Sequence, residues 1–166
     1  MADDLRSGEP QVLTIEVRPG TMDDAARMAP RMRTEDVLEV FAASGRGPLE
    51  ALEAGVLTSS KCMTATEGGE PFCMFGVVTT VIDEGLAFGS LWLLGTDRIK
   101  DLSTPFLRQS RTWLLRLASG HAAVGMMMDA RNTVHHRWAS WLGFRHVARH
   151  PHHGAQRLPF DEYVLD

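Results

Sequence analysis

The sequence predicts an α/β domain built on one mixed, mostly antiparallel sheet with helices on both faces. Apolar residues alternate with polar ones at 13–17 and strand-forming runs recur at 61–66, 71–81 and 87–94, while apolar spacing of three to four residues marks 37–41, 106–117 and 134–142. Glycine- and proline-bearing turns separate these segments, and one sheet covered on both sides is the simplest way to bury all of them.

The first strand places Leu13, Ile15 and Val17 on one face, and Pro19-Gly20 stops it. Thr21 or Asp23 is suited to cap a short helix running to Met28, which Pro30 then redirects. Thr34 precedes Glu35 and Asp36, acids that favour the exposed amides of a first helical turn. Val37, Val40 and Phe41 form the apolar stripe of that helix, and Gly45 with Gly47 end it. Pro48 fits the first position of a further helix whose Leu49, Leu52 and Val56 face inward.

The two strands at 61–66 and 71–81 meet across the turn at 67–70, and Asp83-Glu84-Gly85 leads to the dense apolar strand at 87–94. Three strands joined by tight turns make an antiparallel meander. Thr104-Pro105 opens an amphipathic helix to about Ala118, with Phe106, Trp113, Leu114 and Leu117 on its buried side. A buried strand at 124–128 follows, then a helix from Asn132 to Leu142 with Val134, Trp138, Trp141 and Leu142 as its stripe. Gly143 fits a left-handed terminus. Strands at 144–147 and 160–165 close the chain as a hairpin around a loop at 150–154. A loose segment at 1–11 and a single domain at 12–166 are therefore expected, with no internal repeat.

A hydrophobic fraction of 44% among 166 residues argues against disorder over the whole length. The net charge of −4 argues against a chain devoted to nucleic-acid phosphates. No direct nucleic-acid or membrane binding is expected. The start lacks a basic leader followed by an apolar stretch, and no run reaches the length of a membrane span, so a soluble protein made inside the cell is the expectation. Charge is uneven: residues 131–160 hold Arg131, Arg137, Arg145, Arg149 and Arg157 without an acid. That segment offers either a solvated basic face or a field for a phosphate-bearing ligand. Cys62 and Cys73 are expected as apolar fillers rather than a disulfide scaffold. His146, His150, His152 and His153 lack a cysteine or carboxylate at ligand spacing, so no metal is expected.

Two stretches carry a family resemblance. Ile15, Glu16, Val17, Arg18 and Pro19, followed by Thr21 and Asp23, resemble the first strand and helix start of the GCN5-related N-acyltransferase (GNAT) superfamily. Asp129, Ala130, Arg131, Asn132, His136, Arg137 and Trp138, then Trp141, Leu142, Gly143 and Phe144, resemble the strand, helix and turn that close its cofactor half. A closer resemblance is to acyltransferase-like proteins of tailed bacteriophages, the internal virion protein A group, through residues 91–97 and through Asn132, His135 or His136, Trp138 and Gly143. The resemblance implies acetyl-CoA or another acyl-CoA as donor, an amine acceptor and no metal. It also implies a location in the cytoplasm of a bacterial host during infection or inside the virion. The alternative it implies is a noncatalytic internal virion or host-interaction protein that keeps the fold and binds a virion or host protein.

In that superfamily, amides between a central strand and the next helix hold the diphosphate of the donor. The matching segment here, residues 95–103, lacks the Arg/Gln-x-x-Gly-x-Gly/Ala pattern. Leu94, Gly95, Arg98, Lys100 and Asn132 are the expected cofactor-binding residues. Asp97 and Asp101 oppose phosphates there, so altered or impaired binding is expected. Asn132 resembles the residue beside the pantetheine arm and also fits a helix cap. His136 as proton acceptor and Tyr163 as proton donor to the departing thiolate are the expected catalytic residues, both of which also fit packing roles.

Overall fold

A computed structural model describes residues 14–166; the segment expected to be loose at 1–11 lies outside the described residues. Strand β1 (Ile15–Pro19) leads to helix α1 (Met22–Met28), whose start is a capping box: the Asp24 amide donates to Thr21 Oγ1 at 3.2 Å and the Thr21 amide donates to the Asp24 carboxylate at 3.0 Å. Pro30 turns the chain through a 3-10 segment, after which α2 (Thr34–Ser44) ends at Gly45 in the left-handed region, φ 73°. Helix α3 (Pro48–Thr58) begins with its proline, where no amide partner is needed.

The meander follows as β2 (Lys61–Glu67), β3 (Glu70–Asp83) and β4 (Leu86–Gly95). Helices α4 (Arg98–Asp101) and α5 (Ser103–Ala118) lead to β5 (Ala123–Asp129), α6 (Thr133–Leu142), β6 (Arg145–His153) and β7 (Leu158–Leu165). One seven-stranded sheet results, in the order β1-β2-β3-β4-β5-β7-β6, and only the β4–β5 pair is parallel. The period-two pattern of β3 sorts its side chains by face. Met74 joins Ala25, Met28 and Leu52 under α1 and α3, whereas Phe75 and Val77 join Phe106 and Leu117 under α5. A third cluster joins Leu114, Val124, Met128 and Ala139 between the sheet, α5 and α6. Among the described residues no helix is long and apolar enough to cross a membrane.

Several expectations change at this level. Phe41, Leu49, Val134 and Trp141 are exposed although each sits on an expected apolar stripe. The cores of these helices need only the residues aimed at the sheet, and neighbours such as Leu52, Ala139 and Leu142 fill that space. The expected loop at 150–154 is instead strand through His153, with an irregularity between His150 and His153. Pro151 is compatible with this because β6 is the outer strand, where a missing amide leaves no ladder bond unmade. Cys62 and Cys73 are free thiols, the second fully buried. The basic run is largely neutralised from outside its own window: Arg131 pairs with Asp129, Arg149 with Asp161 and Arg145 with Asp166.

Gly55 gives a test of packing against propensity. Alanine favours an exposed helix interior over glycine by about 1 kcal/mol. A Cβ at Gly55 would stand 2.5 Å from Trp92 Cζ2. Gly55→Ala is therefore expected to lower stability by about 1–3 kcal/mol, read as a lower urea midpoint at unchanged slope.

Candidate active site between the parted strands

Strands β4 and β5 pair only from Phe88 to Ser90 against Ala123 to Gly125. Beyond Ser90 the two strands part, while β4 stays paired with β3 and β5 with β7. Alternate backbone groups of a strand point to opposite neighbours, so those of β4 that have lost β5 face the gap. A cavity of about 310 Å³ occupies it, walled by Leu91, Leu93, Met126, Met128, Phe106 and Trp138. A second cavity, about 510 Å³, opens between α4, α5 and α6 and shares Leu93, Phe106, His135 and Trp138 with the first. On the opposite face the first cavity reaches α2 and α3 at Glu39, Val40, Ala51 and Gly55. The sheet is thus perforated where its strands separate, with an approach from each face.

Helix α2 lies across the ends of the parted strands. The Arg33 amide donates to Gly95 O at 2.9 Å, and the Gly95 amide donates to Asp36 Oδ2 at 2.8 Å. One helical turn on, Glu39 Oε2 accepts the Asp129 amide at 2.9 Å and the Asn132 carboxamide at 3.2 Å. Asp36 therefore holds the end of β4 and Glu39 the end of β5. Residues 33, 36 and 39 share a face because they are three apart.

Below them, Arg33 is 1% exposed; its Nη2 donates to Asp36 at 2.8 Å and lies 2.8 Å from His135 Nε2. A guanidinium can only donate, so Nε2 accepts and the neutral His135 ring carries its proton on Nδ1; Asn132 Nδ2, 3.1 Å from Nδ1, is also a donor, so that approach is a contact and not a hydrogen bond. Burial pushes the His135 pKa down from 6.5 to about 4, against the pull of Asp36. The fold excludes the proton, so the stability contributed by this ring is whole above the ordinary range and lost as pH falls from about 6.5 through about 4. The expected NMR result is a His135 ring signal that stays unshifted from pH 8 to about 5.5; a midpoint near 6.5 would place the ring in water.

Glu39 is the group with reactive character. Burial raises its carboxyl from 4.5 to about 7, opposed by the Asp129 amide and the Asn132 carboxamide. Among the described residues both hydrogen bonds to Glu39 fall on Oε2, which leaves Oε1 to meet a ligand in the cavity that Glu39 lines. A carboxylate poised near neutral pH is suited to accept a proton there.

The residues expected from the sequence are distributed differently. Leu94 lines the gap, and Asn132 does not line it but bonds to Glu39, which does. Asn132 precedes α6 but makes no capping bond; its side chain donates to Glu39 Oε2 and accepts from Arg33 Nη2 at 3.4 Å. His136 and Tyr163 do meet, with His136 Nδ1 2.9 Å from the Tyr163 hydroxyl and Nε2 2.9 Å from Asp129 O. The carbonyl requires Nε2 to donate, so the Tyr163 hydroxyl gives its proton to Nδ1. Neither residue lines either cavity.

Much of the loop after β4 is internally bonded. Gly95 gives its amide to Asp36, Thr96 to Phe72 O, Ile99 to Thr96 O, Lys100 to Asp97 O and Leu102 to Arg98 O, and Pro105 has no amide to give. Arg98 is held by Glu67 through two bonds of 2.7 Å and by Asp101 at 3.2 Å, and these acids raise its pKa. Lys100 reaches Glu35 at 3.4 Å and Asp97 at 3.5 Å. Five amides of the loop are thus engaged and both cations face carboxylates, so the diphosphate of an acyl-CoA would have to compete for these donors.

Arg33, Asp36 and Glu39 were not among the residues the sequence singled out. Asp36 reads as a first-turn acid, and a polar stripe on a helix ordinarily faces water. The available signal was an arginine and two acids at a spacing of three, interleaved with Val37 and Val40.

The sequence matches no family model and no curated protein. The fold does have counterparts. An acetyltransferase of the GNAT family from Streptococcus pneumoniae superposes with a TM-score of 0.61 over 92% of this chain and 98% of that one, at 10% identity. A GNAT-family acetyltransferase from Bacillus anthracis gives 0.66 over 91% and 93%, at 10% identity. The Salmonella typhimurium protein yncA, solved with its cofactor acetyl-CoA, gives 0.62 over 92% and 93%, at 15% identity. Identities this low speak for architecture and not for activity. With its meander, its parted β4 and β5, and helices on both faces, the chain has the fold of the GNAT acetyltransferases.

Proposed function

We propose that the chain is an N-acyltransferase that moves an acyl group from a thioester of the acyl-CoA class to an amine, with Glu39 as proton acceptor. The observation that carries this is the perforated sheet with Glu39, raised to about 7, at the mouth of the gap. The thioester supplies an activated carbonyl. An amine entering from the α2–α3 face attacks it, a C–N bond forms, the C–S bond breaks, and the sulfur leaves as a thiolate that takes a proton from water. Glu39 accepts the proton lost by the nitrogen. Backbone amides of β4 freed by the missing β5 are the donors available to the developing oxyanion. The amine class is open to direct test: incubation of the protein with acetyl-CoA and a panel of amines, with thiol release and acetylated product followed together. Product accumulating above the uncatalysed rate supports the reading; no product with any amine opposes it.

A second reading is favoured by the engaged loop after β4: a noncatalytic scaffold of the phage-associated kind, acting in a bacterial host cytoplasm or within the particle on a virion or host protein. The phage association rests on the resemblance of residues 91–97 and 132–143 alone. Titration with acetyl-CoA and desulfo-CoA separates the readings, because the scaffold is expected to bind neither. Detection of the chain in purified virions would identify it as a particle component.

A further inference from the structure

The cavity between the parted strands carries one charge of each sign. Among the described residues that line it, Glu39 is the one carboxylate and Arg46 the one guanidinium, and the ring of His135 is kept neutral by burial. Arg46 stands just past the end of α2, about two helical turns, or ~10 Å, beyond Glu39. Its amide donates to Ser44 Oγ at 3.3 Å. Arg18, Arg33, Arg98 and Arg149 each hold a carboxylate, whereas Arg46 has none within ion-pair distance among the described residues. Around this pair the α2–α3 face of the cavity is apolar: Val40 and Ala43 come from α2, Ala51 and Ala54 from α3, and Val78 and Trp92 from the sheet. The hydroxyls of Ser44 and Thr58, also on the lining, already donate to Val40 O and Ala54 O in their own helices. Trp92 is pinned, its Nε1 donating to Ser59 Oγ at 2.8 Å and its ring lying against Gly55.

We infer, on the acyltransferase reading above, that the acceptor is a free α-amino acid with an aliphatic or aromatic side chain, its amino group at Glu39 and its carboxylate at Arg46. One acid, one base and apolar walls match a zwitterion with an apolar body. A polyamine brings further cations, for which the described lining offers no second carboxylate. A polypeptide N-terminus has its α-carboxyl tied in a peptide bond, so it brings Arg46 no anion there. A guanidinium grips a carboxylate through paired N–H bonds that a neutral amide does not reproduce. The reaction keeps its balance: the acyl carbon leaves sulfur for the α-nitrogen, Glu39 takes the proton that the neutral amine loses, and the thiolate takes one from water.

The test compares acylation by acetyl-CoA of L-leucine and L-phenylalanine with that of their carboxylate-free counterparts, 3-methylbutylamine and 2-phenylethylamine, and of spermidine. Binding of the two amino acids to the chain alone is followed by titration calorimetry. The expected result is a kcat/KM for the better amino acid at least about tenfold above that of its carboxylate-free counterpart, with spermidine lower still. Arg46→Ala should raise KM and the calorimetric dissociation constant for that amino acid about tenfold at nearly unchanged kcat, and should leave the carboxylate-free amine unaffected. Arg46→Lys should recover part of the loss, since it restores the charge without the paired donors. Arg46 is exposed, so neither change disturbs the core. Equal use of an amino acid and its carboxylate-free counterpart, a preference for spermidine, or no effect of Arg46→Ala overturns the inference and leaves the acyltransferase reading in place. Amino-acid binding that Arg46→Ala weakens, with no amine acylated, overturns the acyltransferase reading and leaves the amino-acid site. Neither binding nor acylation overturns both.

Discussion

Asp36→Ala is expected to remove about 3–5 kcal/mol of stability. The carboxylate is fully buried and its partner Arg33 is 1% exposed, so truncation leaves a guanidinium sealed in the core without its counter-charge. The same change strips the acceptor from the Gly95 amide and loosens the join between α2 and the end of β4. His135 stands 3.7 Å from the lost carboxylate and offers no replacement, since burial keeps its ring neutral at neutral pH. Urea unfolding followed by tryptophan fluorescence measures the loss. A double change, Arg33→Met with Asp36→Leu, is expected to recover much of it, because an apolar pair needs no desolvation. A loss below about 1 kcal/mol for Asp36→Ala would mean that the pair is solvated, contrary to its place in the structure.

Glu39→Gln is expected to lower kcat/KM for amine acylation by about a hundredfold to ten-thousandfold at pH 8, with the thioester dissociation constant nearly unchanged. The proton acceptor must be ionised, and its pKa is about 7, so wild-type activity should climb as pH rises through about 7. That limb should vanish in the variant. Stability moves in the opposite sense. A carboxyl whose folded value lies above its ordinary 4.5 favours the fold when protonated, so this contribution is whole below about 4.5 and is lost as pH rises through about 7. The glutamine variant is therefore expected to be at least as stable as the wild type at pH 8 and nearly insensitive to pH in that window. An unchanged pH–rate profile would remove Glu39 from the chemistry.

The contrast between these residues and the expected ones shows what a sequence conveys. Periodicity is a local signal, and it placed nearly every strand and helix: the alternation at 15–17, the turn at 83–85 and the stripe through Phe106 and Leu117 all reappear in the fold. Punctuation was equally legible. Pro48 opens α3, and Gly45 and Gly143 end their helices in the left-handed region at φ 73° and 97°. The gap between residues 91–94 and 124–128 was likewise readable once the two strands were set side by side in one sheet. Side-chain type conveys less, because it does not say what surrounds a group in the fold. His136 and Tyr163 hydrogen-bond to each other, and neither lines either cavity. Arg98 and Lys100 are cations beside a phosphate-type loop, yet Glu67 and Glu35 reach them from distant parts of the chain.

By itself the sequence determined the element order, the alternation that gives each strand a buried face, and hence an open mixed sheet with helices on both sides, because these follow from contacts within a few residues. Tertiary structure alone decided which polar groups would be buried together: Arg33, Asp36 and Glu39 meet Asn132 and His135 across about a hundred residues of chain only after α2 is laid over the ends of two strands. Burial sets the proton affinity of Glu39, and burial is a property of that meeting and not of any local segment.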